Sequence, residues 1–274
     1  IERLAVRGSG RHALPIVHRD CDTGGVAERQ LLTTTTGEPY QAVRLTYSIP
    51  NRSQVLRRLR RFRCVEIDKK RGRATIWLDA EARELELDAP PPQWEAFGQR
   101  IHLGAIRFPQ GRAMSLQVRS VRRAIELARM LRPRLGSDVE LVRARLVNRW
   151  FEGKELTGEI DELDRCLDRD VTRIDWEAEA DELDRATAGA PSPEEYLRLA
   201  TEHRATRQLQ DVPMVEDFPM HPEDEDDEMT DLAGVLNVRF IRAARRWNGE
   251  DVTLQEVIEE AVHTHLANQR GTSR

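Results

Sequence analysis

Lysine is almost missing from this chain: Lys69, Lys70 and Lys154 stand against 40 arginines. A GC-rich bacterial genome produces that bias without selecting guanidinium chemistry, so arginine content alone does not identify a nucleic-acid binder. Aromatics are scarce at 5%, and a domain with so few rings is expected to bury most of them. Cys21, Cys64 and Cys166 are odd in number and widely spaced, which excludes a disulfide framework and a CxxC metal site. No apolar run approaches the roughly 18 residues that a membrane span needs, and no leader pattern is visible. The expectation is a cytoplasmic protein without membrane contact. Neither common glycine-rich phosphate loop occurs.

Charge is unevenly distributed. Residues 1–150 hold 29 basic residues against 16 acidic, and residues 151–274 hold 14 against 32. A basic functional half followed by an acidic regulatory or partner-facing half gives that pattern; so do two halves that attract each other within one protein.

The densest cationic stretch is NRSQVLRRLRRFRCVEIDKKRGR, residues 51–73. Asn51 is placed to cap a helix, with Gln54 reaching back toward it. Val55, Leu56, Leu59 and Phe62 fall on one side at helical spacing, and Arg57, Arg58, Arg60 and Arg61 fan across the other. Val65 and Ile67 then alternate with Glu66 and Asp68 as a half-buried strand does. The turn Lys69-Lys70-Arg71-Gly72-Arg73 adds further charge. The candidate nucleic-acid-binding residues are Arg52, Arg57, Arg58, Arg60, Arg61, Lys69, Lys70, Arg71 and Arg73. Arg107, Arg112, Arg119, Arg122, Arg123, Arg143, Arg145 and Arg149 extend the surface if the neighbouring units pack side by side.

The rest of the chain divides by pattern. Residues 1–38 lack periodicity and read as a flexible arm. Residues 39–153 read as a basic α+β domain with strands at 40–49, 64–68, 73–79, 102–108, 112–119 and 139–150, and a short alternation at 83–88. Its helices lie at 51–63 and from Val121 to Pro133. The alternation slips between Leu141 and Val142, the mark of a bulge or of burial on both faces. A mixed or antiparallel sheet with helices on one face is expected, in a ferredoxin-like arrangement, single or duplicated around Pro90-Pro91-Pro92. Residues 154–210 read as acidic and helical, with Leu156, Ile160, Leu163, Leu167, Val171 and Ile174 at helical spacing. Residues 211–231 read as an acidic linker and 232–274 as a helical hairpin.

Within that hairpin, NVRFIRAARRWNGEDVTLQEVIEEAVHTHL (237–266) resembles the ribbon-helix-helix proteins of the Arc-repressor type. The resemblance rests on a short Val238-Arg239-Phe240 ribbon, a helix to Trp247, a turn at Gly249, and a second helix capped by Thr253 and Glu256. It implies dimerisation through the helices and a ribbon, with Asn237 and Arg239 as readers, in the DNA major groove.

No catalytic constellation assembles from this sequence. His12, His18, Asp20, Cys21 and Asp22 lack the second ligand pair of a closed tetrahedral site. Glu66, Asp68 and Asp79 would need to gather at one sheet edge to hold a divalent ion, and His102 in an alternating strand reads as a packed histidine. No cofactor and no metal are expected, and enzymatic activity is unsupported. The reading is a non-enzymatic protein that binds DNA or RNA through an Arg-rich α+β face, with an acidic helical region for self-association or regulation. The alternative is an interaction scaffold whose basic face docks an acidic partner or its own C-terminal half.

Overall fold

In the computed structural model, eight strands form one sheet in the order β2-β3-β4-β5-β1-β6-β8-β7. The structure describes residues 29–68, 70, 72–79, 84–98, 100–109, 112–155, 164–208, 212–220 and 228–271. The strands are β1 (Val43–Ser48), β2 (Val65–Asp68), β3 (Arg73–Asp79), β4 (Arg100–Arg107), β5 (Ala113–Val118), β6 (Glu140–Val147), β7 (Val171–Arg173) and β8 (Val215–Pro219). Neighbours pair antiparallel except β7, which runs parallel to β8. The helices are α1 (Arg52–Leu59), α2 (Pro91–Phe97), α3 (Val121–Leu135), α4 (Trp176–Thr187), α5 (Pro193–Gln208), α6 (Glu228–Trp247) and α7 (Leu254–Gly271). The protein is therefore α+β, with helices closing the C-terminal region.

Alternation builds the sheet. Val43, Leu45 and Tyr47 of β1 are buried, while Arg44, Thr46 and Ser48 point the other way. The buried set shares one core with Val55 and Leu59 of α1, Leu127 and Leu131 of α3, and Leu232 and Leu236 of α6. These three helices thus close one face of the sheet. The slip at Leu141-Val142 is a bulge: Thr46 pairs with Arg143 and Tyr47 with Leu141, leaving Val142 extra.

The two units expected on either side of Pro90 do not form separate sheets. β1, from the first, is hydrogen-bonded between β5 and β6 of the second.

Local signals set the helix ends. Asn51 Oδ1 accepts hydrogen bonds from the N–H groups of Ser53 (2.8 Å) and Gln54 (3.3 Å). The reciprocal arm of a capping box is not made, because Gln54 donates instead to Asp138 Oδ2 at 3.2 Å. Asn51→Ala removes the acceptor for two otherwise orphan donors and is expected to lower stability by about 1 kcal/mol in urea unfolding. Helix α3 runs past Pro133 to Leu135 and stops at Gly136, whose φ is +88°.

Four segments differ from expectation. Residues 1–28 of the arm lie outside the described residues, but 29–38 are packed: Leu32 is buried and its N–H donates to Phe151 O at 2.8 Å. Thr36 Oγ1 accepts from the buried Arg123 Nη2 at 2.7 Å. The hydroxyls of that tract supply the partners a buried guanidinium needs. The helical spacing from Leu156 to Ile174 does not yield one helix across the described part, 164–174. A 3-10 turn at Arg165–Asp168 ends with Asp170 at φ +49°, and Val171–Arg173 is strand β7. Pairing to β8 satisfies backbone groups on an edge that a helix would leave bare. The acidic linker contains β8, four of whose five residues are buried, so the sheet extends well beyond residue 153. Residues 84–88 of the short alternation form no strand.

Candidate functional site

The sheet face opposite α1, α3 and α6 grades from apolar to cationic along the strands. At one end Ala42, Val147 and Val215 pack with Leu167 of the 3-10 turn, Tyr40, Leu32 and Phe151 as a second small core. Next comes a cross-strand row of Thr75, Ala105, Gln117, Arg44, Arg145 and Asp217. The last row joins Asp68, Arg73, Arg107, Ser115, Thr46 and Arg143. Because β side chains alternate, residues paired in register share a face, and these rows follow from the pairing alone.

The middle row is neutralised by carboxylates from the acidic half. Arg44 Nη1 meets Asp168 Oδ1 at 2.6 Å, and Arg145 Nη1 meets the same oxygen at 3.1 Å. Asp217 receives Arg143 Nε at 2.8 Å and Arg145 Nη2 at 2.7 Å. Nearby, Asp164 accepts from Arg119 at 2.9 Å and from the Tyr40 hydroxyl at 2.6 Å. The Asp168 carboxyl is held below its ordinary pKa first by its hydrogen bond from Arg44, and Tyr40 is pushed up by burial and Asp164.

The last row is different. Arg73 and Arg107 are directly opposite each other across β3 and β4. Like charges in that register oppose sheet formation. Among the described residues neither forms an ion pair, and Arg73 Nε is buried without a hydrogen-bond partner. Arg107 is exposed.

The hairpin turn brings more cations to this end. Arg52 Nη2 donates to Gly72 O at 3.3 Å, and its guanidinium lies 5.2 Å from the Phe108 ring centroid. Gly72 has φ +61°, and a Cβ there would collide with the Arg52 guanidinium. Only glycine satisfies both the backbone and the close approach. Exposed Lys70 sits beside this turn, and Arg112 O accepts from Ile49 N at 2.9 Å where β1 ends.

Of the residues singled out in the sequence, Arg52, Lys70 and Arg73 therefore lie at or beside the β2–β3 hairpin turn. Arg58 is committed elsewhere: it bridges Asp138 and the Leu135 carbonyl, tying α1 to the end of α3. Arg57, Arg60 and Arg61 are exposed on and just after α1. Lys69 and Arg71 lie outside the described residues. In the wider set, Arg107 lies in the last row, Arg143 lies in that row but pairs with Asp217, Arg112 is exposed just before β5, Arg123 is buried, Arg149 pairs with Glu155 at 2.6 Å, and Arg122 is exposed on α3. Arg44 was not singled out; the Val-Arg-Leu-Thr-Tyr-Ser alternation carries its signal, placing every second residue on the face away from the core.

His102, also on this face, makes an edge contact with Trp77 at 5.6 Å between centroids, and its Nδ1 is buried without a partner. Burial, then Arg119 and Arg123, push its pKa down to about 3. It is neutral at pH 7. The folded state resists a proton that the unfolded chain accepts, so this residue contributes stability above about pH 6.5 that is lost as pH falls toward 3. His102→Phe keeps the ring contact and removes the proton, so the decline in stability between pH 6.5 and 4.5 should be shallower by up to about 1.4 kcal/mol per pH unit. Urea unfolding at several pH values measures this.

The carboxylates weighed as a metal site are engaged. Glu66 accepts from Trp77 Nε1 at 3.1 Å, Asp79 lies 3.4 Å from Arg100, and Asp68 accepts from Lys70 N at 3.0 Å. Among the described residues no group of three or more His, Cys, Asp or Glu is disposed to hold a metal ion. His12, His18, Asp20, Cys21 and Asp22 lie outside them. No described helix is long and apolar enough to cross a membrane. Burial pushes the Cys64 thiol up to about 12 and Cys166 up to about 11, which leaves both as unreactive thiols at neutral pH.

In the C-terminal pair the capping box forms: Glu256 N donates to Thr253 Oγ1 at 3.2 Å, and Thr253 N donates to Glu256 Oε2 at 2.8 Å. The turn glycine Gly249 has φ +88°. Val238-Arg239-Phe240 is helical, inside α6, and Arg239 is buried against Glu216.

Fold and face together define an α+β protein with an open, arginine-bearing sheet surface. No family model, curated protein or solved structure matches this chain.

Proposed function

We propose that this protein binds DNA or RNA through the open end of its sheet, with Arg52, Lys70, Arg73, Arg107 and Arg112 meeting backbone phosphates. One observation carries the reading. Arg73 and Arg107 face each other in register and, among the described residues, neither is in an ion pair, although Asp68 lies opposite Arg73 on β2 and the Asp168 carboxylate feels the charge of Arg107. Arg44, Arg119, Arg143 and Arg145 on the same face are each paired. An anion placed between opposed guanidiniums turns a repulsive pair into a bidentate site, and phosphate suits that geometry. The test is binding of the full chain to labelled single- and double-stranded DNA and RNA across a salt series. Phosphate contacts release counterions, so log K should fall with log salt at about 0.7 per contact for a single strand and about 0.9 for a duplex. No binding at low salt, or binding that salt leaves unchanged, overturns the reading.

A second reading, a scaffold whose basic face docks an acidic protein segment, draws support from the aspartates already seated there. Asp164 and Asp168 belong to the acidic half and reach Arg119, Arg44 and Arg145. An acidic peptide that binds while nucleic acid does not would favour it. Self-association through α6 and α7 is a further part of the proposal, supported by Ile241 and Ile258, which are exposed on these helices.

A further inference from the structure

At the opposite end of the sheet, the segment after β6, the segment before β8 and the last turns of α6 line a cleft of about 390 Å³. Its volume falls within the roughly 300–1,000 Å³ of small-molecule sites. Its lining is unlike the open row in having aromatic as well as cationic walls. Trp150 and Trp247 both line it, and both are half-buried. Arg149, Arg242 and Arg246 add guanidiniums, and Arg29 stands at the rim with most of its side chain exposed. Glu152 and Glu155 are the acids in the lining, so the cleft carries net positive charge.

The walls are tied in place without a ligand. Asn148 Nδ2 donates to Pro213 O at 2.9 Å and to Glu216 Oε2 at 2.8 Å, joining β6 to the chain entering β8. Gly153 N donates to Gln30 O at 2.7 Å, which fixes the segment carrying Arg29. Trp150 Nε1 donates to Gln41 Oε1 at 3.3 Å, and its ring meets Phe240 at 5.3 Å, so one indole is held in orientation. Both carboxylates are already engaged, Glu155 by Arg149 and Glu152 by Lys154 and Arg29. Met214, 49% exposed, adds apolar surface.

A planar ring for the indoles, an anion for the arginines, and a size that fits one unit describe a mononucleotide. We infer that this cleft binds a nucleoside monophosphate, as a free molecule or as the phosphorylated end of a strand. The base stacks on Trp150 or Trp247, and the phosphate meets Arg246 and Arg149 in competition with their present carboxylate partners, Asp251 at 3.8 Å and Glu155 at 2.6 Å. Base–indole stacking contributes about 1–3 kcal/mol. The inference does not depend on the open sheet end binding nucleic acid, because the two regions share no residues.

The experiment is calorimetric titration of the full chain with AMP, GMP, CMP and UMP, with adenosine and inorganic phosphate as controls. Mononucleotides should bind at least tenfold more tightly than either control. Trp247→Ala and Arg246→Glu should each weaken them about tenfold, with unfolding curves confirming that both variants are folded. Arg198→Glu, at an exposed position on α5 outside the cleft lining, should leave the affinity unchanged. Competition separates the two sources. If a 5′-phosphorylated oligonucleotide displaces AMP better than its dephosphorylated twin, the cleft holds strand ends; if neither displaces it, the cleft holds free mononucleotides. No binding at millimolar AMP, or AMP binding that survives Arg246→Glu and Trp247→Ala unchanged, overturns the inference. Loss of AMP binding in Arg73→Glu/Arg107→Glu would move the ligand to the open row and overturn it as well.

Discussion

Arg239→Ala will lower the unfolding free energy by about 3–5 kcal/mol, the cost of leaving one partner of a buried ion pair alone. Arg239 projects from α6 toward β8, where its Nε lies 2.6 Å and its Nη2 3.1 Å from the Glu216 carboxylate. Both side chains are under one-tenth exposed. The guanidinium also covers the Phe218 ring at 4.8 Å and donates to Val235 O at 3.3 Å. Truncation leaves the carboxylate with Asn148 as its remaining side-chain donor and opens a gap against Phe218. The paired change Arg239→Met with Glu216→Leu removes both charges and keeps the volume, and Asn148 retains Pro213 O. It should recover most of the loss, since apolar replacements of buried pairs are often neutral or stabilising. Urea unfolding of the single and double variants decides. A single variant within about 1 kcal/mol of the parent would mean that this pair contributes no more than an exposed one.

Arg73→Glu/Arg107→Glu should weaken nucleic-acid binding about a hundredfold, because two charge-assisted phosphate contacts contribute about 1.5 kcal/mol each at the low end. The salt slope should shrink by about 1.5 for a single strand and about 2 for a duplex. Relief of the repulsion between the opposed arginines gives no comparable benefit in the variant, since two opposed glutamates repel as well. Asp164→Asn/Asp168→Asn should act in the opposite direction, strengthening binding severalfold by removing the carboxylates that pair with Arg44 and Arg119, while Arg145 stays with Asp217. Stronger binding by the first double variant, or unchanged binding by both, would take the sheet face out of the interface. The same pair of variants separates the scaffold reading, in which an acidic peptide responds to both changes while nucleic acid binds neither parent nor variant.

Features set by neighbours within a few residues were legible in the chain itself. The Asn51 cap, the Ser120 cap whose hydroxyl accepts from Arg123 N at 3.1 Å, and the Thr253–Glu256 box all close over three positions. The alternation of β1 and the Leu141-Val142 slip are likewise local, because strand period and bulge leave their mark on consecutive residues. What each arginine does was not local. Arg52, Arg58 and Arg60 belong to one cationic run, yet Arg58 is bound to Asp138, Arg52 crosses to Gly72, and Arg60 stays in solvent. Those outcomes depend on where α3 ends and where the hairpin turns. Arg44 and Asp168 are 124 residues apart, and no composition pattern links them. Leu167 keeps helical spacing with its neighbours, but the second core and the free edge of β8 pulled its segment into a short turn and a strand. The acidic 215–219 stretch reads as solvated until it is paired: β6 and β7 satisfy its backbone, Arg143 and Arg145 answer Asp217, and Arg239 answers Glu216. The sequence by itself determined the fold class, the caps and which side of each strand is apolar. The tertiary structure decided which charges are paired with each other and which stay exposed, because pairing between guanidinium and carboxylate falls off within a few ångströms and those distances exist only once the sheet has closed.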